Sequence, residues 1–140
     1  MSNENPSIIS HISIGTNDFD KAHAFYDAVL SSLGIKIIME HPGAVAYGRE
    51  YPEFWVCSPH DGKPASVGNG FHIGFIATNK EQVHAFYDTA IAAGATCDGP
   101  PGPRPMYGEP YYGCFVRDAE GHKIEAAYWD AELSMKLYGH

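Results

Sequence analysis

Cysteines are few in this 140-residue sequence. The three that occur, Cys57, Cys97 and Cys114, lie far apart and make no Cys-x-x-Cys pair. An odd number of separated thiols argues against both a disulfide framework and a thiolate zinc site. We therefore expect the cysteines to be buried thiols that serve as small apolar residues.

Positive charge and long apolar runs are also scarce. Lys and Arg number 9 against 17 Asp and Glu, which gives a formal net charge of -8 without a basic cluster. The attraction to phosphate that drives nucleic-acid binding is therefore missing. No apolar run reaches the roughly 20 residues of a membrane span, and residues 1–7 lack a secretory pattern. We expect a cytoplasmic protein with a small-molecule partner and no nucleic acid or membrane partner.

What the sequence does contain is an internal repeat. His11-Ile12 and His72-Ile73 stand 61 positions apart, and the same offset places the pentapeptide HAFYD at both 23–27 and 84–88. Seven identities in one register indicate two copies of one structural unit.

Each copy predicts the same succession of elements. A short apolar stretch (8–15 or 70–77) suits a strand, and a helical apolar face follows a cap at Asn17 or Asp18, or at Asn79. Three more short strands complete each copy. The sequence thus predicts one α+β domain of two tandem β-α-β-β-β modules: module one at about 8–58, a linker at about 59–69, module two at about 70–128, and a C-terminal extension at 129–140.

Two histidines and one glutamate are the candidate metal ligands. A pseudo-twofold relation between the modules brings equivalent side chains together, so we expect His11 and His72 to face one cleft. Glu125 is flanked by Ile124 and Ala126, and a buried carboxylate requires a cation. A metal held by the two histidines would supply it, with an ion pair to Lys or Arg as the alternative.

This ligand set leaves coordination positions open, as catalytic metal sites do. Imidazole and carboxylate accept Fe, Mn, Ni, Co or Zn as divalent ions, and the sequence does not choose between them.

Three segments carry a resemblance to a known family: FYDAVLSSLG after His11, GFHIGF around His72, and DAEGHKIEAAYW around Glu125. Together they resemble the vicinal oxygen chelate superfamily, which includes glyoxalase I, fosfomycin-resistance thiol transferases, extradiol dioxygenases and bleomycin-resistance proteins. The resemblance implies a U-shaped mixed sheet with helices on its outer face. It also implies a homodimer, and a metal in the concavity that is chelated by vicinal oxygens of the substrate. His11, His72 and Glu125 match three ligand positions.

The fourth ligand position departs from glyoxalase I. Aligning 53–57 with 123–127 puts Trp55 at the position of Glu125, and tryptophan does not coordinate metals. Glu53 lies on the same strand face and could act as base or fourth ligand, or simply be a solvated strand-end carboxylate. Two histidines with one glutamate resemble the thiol transferases and extradiol dioxygenases instead.

A Pro/Gly-rich stretch at 98–113 interrupts module two and is a candidate lid. Its one cation, Arg104, could bind an anionic group, or could pair with Glu109. The predicted substrate-binding residues are Arg104, Tyr107, Tyr111, Tyr112 and Trp55. We expect His23 and His84 to lie on helix surfaces and His122 to be exposed in a turn.

The leading functional prediction is a metal-dependent enzyme with lyase- or isomerase-type chemistry through an enediolate, in which Glu125 is catalytic. An Fe(II) extradiol-type dioxygenase or a thiol transferase is one alternative. A non-catalytic, ligand-sequestering protein of the bleomycin-resistance type is another.

Overall fold

Each half of the repeat folds into its own four-stranded mixed sheet in the computed structural model, which describes residues 5–140. Module one runs through β1 (Ile12–Gly15), α1 (Phe19–Ser31), β2 (Lys36–His41), β3 (Ala44–Gly48) and β4 (Phe54–Cys57). Module two runs through β5 (Ile73–Ile76), α2 (Lys80–Ala92), β6 (Thr96–Pro103), β7 (Tyr111–Arg117) and β8 (Lys123–Trp129). A 3-10 turn (Pro105–Tyr107) precedes β7, and α3 (Ala131–Tyr138) ends the chain. The predicted α+β class and tandem modules are confirmed.

The two sheets have the same strand order, β1-β4-β3-β2 and β5-β8-β7-β6. In each, the first strand pairs in parallel with the last one, and the remaining pairs are antiparallel. The expected U-shaped sheet therefore takes the form of two separate sheets within residues 5–140. Strands β1 and β5 are outer strands, and the far edge of each is left without a strand partner in this part of the chain.

The helices form where the apolar spacing predicts them. Asp18 accepts a hydrogen bond from the Lys21 amide, and Asn79 accepts one from the Gln82 amide, so both predicted caps are present. Helix α1 buries Phe25, Tyr26, Val29 and Leu30, and α2 buries Val83, Phe86 and Ala90. No helix within residues 5–140 combines the length and apolar character that a membrane span requires.

Both modules contribute to one apolar core. The rings of Phe54 on β4 and Phe75 on β5 meet edge to face at 5.1 Å, and the two helices contact each other. The Tyr26 hydroxyl on α1 donates to Asp118, which follows β7 in the other module. The helix-covered side of the two sheets is thus shared, and the opposite, open faces of the sheets are not covered by α1 or α2.

The proposed lid segment is mostly sheet. Strand β6 continues through Pro103, with register shifts between Cys97 and Gly99 and again before Gly102. Prolines are tolerated here because β6 is an edge strand that needs few amide donors, and Gly99 adopts a positive φ of 151° at the bulge. The expectation for the cysteines is wrong in part, since only Cys114 is buried and Cys97 is exposed.

Candidate functional site

His72 and Glu125 meet on the open face of module two. His72 immediately precedes β5, and its Nε2 lies 2.7 Å from Oε1 of Glu125 on β8. The Glu125 residue is 8% exposed, whereas the His72 side chain is 40% exposed. The pair therefore consists of a buried carboxylate and an imidazole that borders solvent.

A missing side chain makes room for this pair. Gly74 is the neighbour of Glu125 in the parallel register of β5 and β8, and it shares a strand face with His72. A Cβ at Gly74 would lie 3.2 Å from Oε1 of Glu125. Any larger residue there would crowd the carboxylate oxygen that faces the histidine.

The second carboxylate oxygen has its own partner. The Tyr111 hydroxyl on β7 donates to Oε2 of Glu125, and the Tyr111 ring packs edge to face against Trp129 and Tyr107. Burial, followed by this hydrogen bond, raises the pKa of Tyr111 well above its usual range. Tyr111 therefore remains a neutral hydrogen-bond donor.

Gly113 allows that contact. It lies on the same face of β7 as Tyr111, two residues along the strand. A Cβ at Gly113 would overlap the Tyr111 hydroxyl and come within 2.6 Å of the Ala126 carbonyl oxygen. The phenol thus crosses the strand in space that only glycine leaves free.

His11 does not join the pair. No three His, Cys, Asp or Glu side chains within residues 5–140 lie close enough together to hold one metal ion. The exposed His11 precedes β1, and its Nδ1 lies 2.9 Å from the Ser10 hydroxyl. It borders a separate cavity of about 580 Å³ that is also lined by Glu53 and Trp55.

Trp55 occupies the module-one counterpart of the Glu125 position. It pairs with Ser13 on β1, just as Glu125 pairs with Gly74 on β5, and Ser13 and Gly74 are related by the 61-residue offset. The His41 imidazole stacks parallel to the Trp55 indole at 6.2 Å. The two modules therefore present different chemistry at equivalent places: a carboxylate in one and an aromatic surface in the other.

The predicted substrate tyrosines divide between the two faces of module two. Tyr111 and Tyr107 lie on the open side, with Tyr107 half exposed. Tyr112 points to the opposite face, where its hydroxyl is 2.7 Å from Nε2 of His84 on α2, because neighbouring residues of a strand alternate between faces. Tyr112 is thereby removed from the site, and the surface position expected for His84 agrees with the structure.

Arg104 lies over the ring of Phe115, with 5.5 Å between the guanidinium carbon and the ring centroid. It donates to the carbonyl oxygens of Pro100 and Pro103, and the alternative ion pair with Glu109 is not formed. Phe115 is itself the cross-strand neighbour of Glu125, and its centroid lies 5.6 Å from the His72 ring.

The expectation for His122 is wrong. This residue is 1% exposed, its Nδ1 lies 2.9 Å from a carboxylate oxygen of Asp118, and Phe71 packs on its ring. Burial acts to raise the pKa of Asp118, but hydrogen bonds from His122 and Tyr26 outweigh it and hold that pKa below its usual range. The pair supports the turn before β8 and thereby the position of Glu125.

The residues of module two fit a divalent metal. Metal–ligand distances of about 2 Å place adjacent ligand atoms about 3 Å apart, close to the present separation of the His72 and Glu125 atoms. Imidazole nitrogen and carboxylate oxygen are donors that Fe, Mn, Co, Ni and Zn accept. One chain nevertheless brings together only two of the three predicted ligands.

Comparison with known proteins agrees with this architecture. The sequence profile of the Glyoxalase/Bleomycin resistance protein/Dioxygenase superfamily matches residues 8–126. A crystal structure of a glyoxalase/bleomycin resistance protein from Albidiferax ferrireducens is similar at 38% identity, with a TM-score of 0.80, 86% of this chain and 98% of that chain covered. No curated protein matches significantly.

Two more distant structures share the fold. Lactoylglutathione lyase from Agrobacterium tumefaciens is 22% identical, with a TM-score of 0.61 and 89% and 95% of the two chains covered. A mutant of the fosfomycin resistance protein FosX from Listeria monocytogenes, complexed with Mn(II) and 1S,2S-dihydroxypropylphosphonic acid, is 18% identical. Its TM-score is 0.66, with 94% and 98% covered. On the profile match and the 38% identical structure, this chain belongs to the Glyoxalase/Bleomycin resistance protein/Dioxygenase superfamily.

Proposed function

We propose that this protein is a metal-dependent enzyme with lyase- or isomerase-type chemistry on a small oxygen-bearing substrate, and that two copies of the chain build its site. The observation that carries the proposal is the contact of His72 with Glu125, 2.7 Å apart beside the free edge of β5. A buried carboxylate next to an imidazole is suited to a cation, and His72 also borders a cavity of about 530 Å³ with room for a ligand.

The third ligand in this proposal is His11 of a second copy. Strands β1 and β5 each have an unpaired edge, and the apolar side chains of Ile9 and Ile76 near these edges are 63% and 67% exposed. A homodimer in which β1 of one copy approaches β5 of the other would cover them and bring His11 to His72. The separate cavities of the two modules would then become one.

Each residue of this proposed site has its own role. His72, Glu125 and the second copy's His11 would hold the ion, which when bound polarises the oxygens of the substrate. Tyr111 keeps the Glu125 side chain extended toward His72 by its hydrogen bond to the other oxygen. We propose Glu53, which is exposed in the His11 cavity, as the candidate base or fourth ligand, and Trp55 as an aromatic wall for the substrate.

Metal analysis of the purified protein tests the proposal. Protein prepared without added metal should contain a divalent ion, and His72→Ala and Glu125→Gln should lose it. The matched control is His84→Ala, because His84 is exposed on α2 and its imidazole meets the Tyr112 hydroxyl and ring on the opposite face from Glu125. Wild-type protein that neither retains nor takes up Mn(II), Fe(II), Co(II), Ni(II) or Zn(II) while correctly folded would overturn the proposal and favour a ligand-sequestering role.

A further inference from the structure

Arg104 is an unusual cation in this acidic chain. Among residues 5–140, none of the ion pairs involves its guanidinium group, although acidic residues outnumber basic ones by 17 to 9 over the whole sequence. Within this described part of the chain, its guanidinium makes two hydrogen bonds, both to backbone carbonyl oxygens, out of the five N–H groups that an arginine carries. The remaining donors are available to a ligand.

The backbone holds this guanidinium in a prepared place. A Cβ at Gly99 would lie 3.0 Å from Nη2 of Arg104, and a Cβ at Gly102 would lie 3.4 Å from Nη1. Gly99 therefore leaves space that Nη2 fills, whereas Gly102 lies at an ordinary contact distance from Nη1. The carbonyl oxygens of Pro100 and Pro103 fix its direction, at 2.7 and 3.1 Å. A surface arginine that only aids solubility needs no such cradle.

A second cation lies over the same ring. The Lys123 ammonium is 4.9 Å from the centroid of Phe115, compared with 5.5 Å for the Arg104 guanidinium. Lys123 reaches Asp98 only at 3.9 Å, and Asp98 is already bound at 3.1 Å by Arg117. Two cations thus lie within 5.5 Å of the centroid of one aromatic ring.

Phe115 connects this charge to the candidate metal ligands. Its ring centroid is 5.6 Å from that of His72, and it is the cross-strand neighbour of Glu125. A molecule of a few heavy atoms can therefore reach from His72 to the cations around Phe115. Oxyanions such as carboxylate and phosphonate accept charge-assisted hydrogen bonds from a guanidinium fork.

We propose that the substrate carries an oxyanion, carboxylate or phosphonate, which Arg104 and Lys123 bind beside Phe115 while its neighbouring oxygens face His72 and Glu125. The inference rests on the proposed function for the second half of that statement only. The anion subsite is formed by residues of one module and needs no metal.

The experiment uses full-length, EDTA-treated protein at low ionic strength, where screening is weakest. The probes are glycolate, hydroxymethylphosphonate and the neutral glycolamide, titrated while the Arg104 side-chain N–H signal is followed by NMR. We expect saturable shifts with at least one anion and none with glycolamide. The anion that binds more tightly shows whether the substrate's charged group is a carboxylate or a phosphonate.

Variants assign the effect to the two cations. Arg104→Gln should weaken binding of the preferred anion about tenfold or more, and Arg104→Lys should restore part of the affinity. In these variants binding is measured from the shifts of backbone amide signals. Lys123→Gln should weaken it less, and the control Lys136→Gln on α3 should leave it unchanged. Equal binding of glycolamide, or unchanged anion affinity in Arg104→Gln, would overturn the inference.

Metal content separates this inference from the proposed function. A wild-type protein that binds the anion but no metal keeps the inference and removes the metal-dependent role. A protein that binds metal without preferring anions does the reverse.

Discussion

Tyr111 and Glu125 are joined across the backbone of Gly113, with the phenol hydroxyl donating to Oε2 while Oε1 faces His72. The two oxygens of one buried carboxylate are thereby assigned to two different partners. Strand β8 supplies the carboxylate, β7 the donor, and the approach to β5 the imidazole.

Removing the donor should cost stability and metal affinity together. Tyr111→Phe leaves a buried carboxylate oxygen without its hydrogen bond, so we expect the free energy of unfolding to fall by about 1–3 kcal/mol in metal-free protein. Urea denaturation measures the first effect and Mn(II) titration the second. Tyr107→Phe is the control, because the Tyr107 ring packs on Tyr111 and its hydroxyl makes no contact with Glu125. Equal losses in both variants would contradict the role of the Tyr111 hydroxyl.

The space over Gly113 should tolerate no side chain. Gly113→Ala places a methyl group on the Tyr111 hydroxyl and near the Ala126 carbonyl oxygen, so one of them must shift. We expect a destabilisation of about 1–3 kcal/mol or more by urea denaturation. Gly102→Ala is the comparison, because its methyl group would lie at an ordinary contact distance, 3.4 Å, from Nη1 of Arg104. Similar stability of the two variants would argue against the crossing of Tyr111.

Mixing inactive variants tests the two-chain site. Neither His11→Ala nor His72→Ala should bind metal alone, but subunit exchange between them creates heterodimers with one intact site. The mixture should recover about a quarter of the wild-type metal content if subunits pair at random. The control mixes His72→Ala with Glu125→Ala, which can restore no site because both residues belong to the same module. Recovery in neither mixture would contradict the shared site.

The buried pair of Asp118 and His122, in the turn before β8, should make the stability of the fold depend on pH in the acid range. Because the pKa of Asp118 is lowered in the folded state, its carboxylate stabilises the fold above the unfolded-state pKa, about 3.9, and that contribution is lost as pH falls through the folded-state value. Asp118→Asn should therefore be less stable than wild type at neutral pH. The difference should shrink below about pH 4, as followed by urea denaturation.

Asp61→Asn serves as the comparison for Asp118. Asp61 is exposed, and its one hydrogen bond is from the nearby Lys63 amide. A pH-independent difference between Asp118→Asn and wild type would show that the Asp118 charge is not responsible.

The fold was predictable because its signals are local and occur twice. The HAFYD repeat and the apolar steps that include Phe25, Tyr26 and Val29 fixed α1 and α2 and their caps. The length of β6 was not predictable, because its prolines indicate a loop. They are compatible with a strand only at the edge of a sheet, and the sequence does not show that β6 is an edge strand. The burial of His122 depends on Phe71 and Asp118 packing around a turn, which no spacing rule reports.

The site was predictable only in part. Glu125 among apolar neighbours indicated a buried carboxylate, and the repeat predicted both His11 and His72 as its companions, of which His72 meets it within residues 5–140. A pseudo-symmetric sequence shows that equivalent residues exist, but it does not say whether they meet within a chain or between chains. That depends on the path of residues 59–69, whose turn-forming composition does not fix a direction.

Because its two oxygens have different partners, the Glu125 carboxylate also links the segment between β6 and β7 to the outer strand β5. The Tyr107 ring packs on Tyr111, the Tyr111 hydroxyl donates to one oxygen of Glu125, and the other oxygen contacts His72. A ligand that displaces Tyr111 must therefore also break the hydrogen bond that holds Oε2 of Glu125. Binding of a ligand beside this segment and the orientation of the Glu125 carboxylate are therefore coupled.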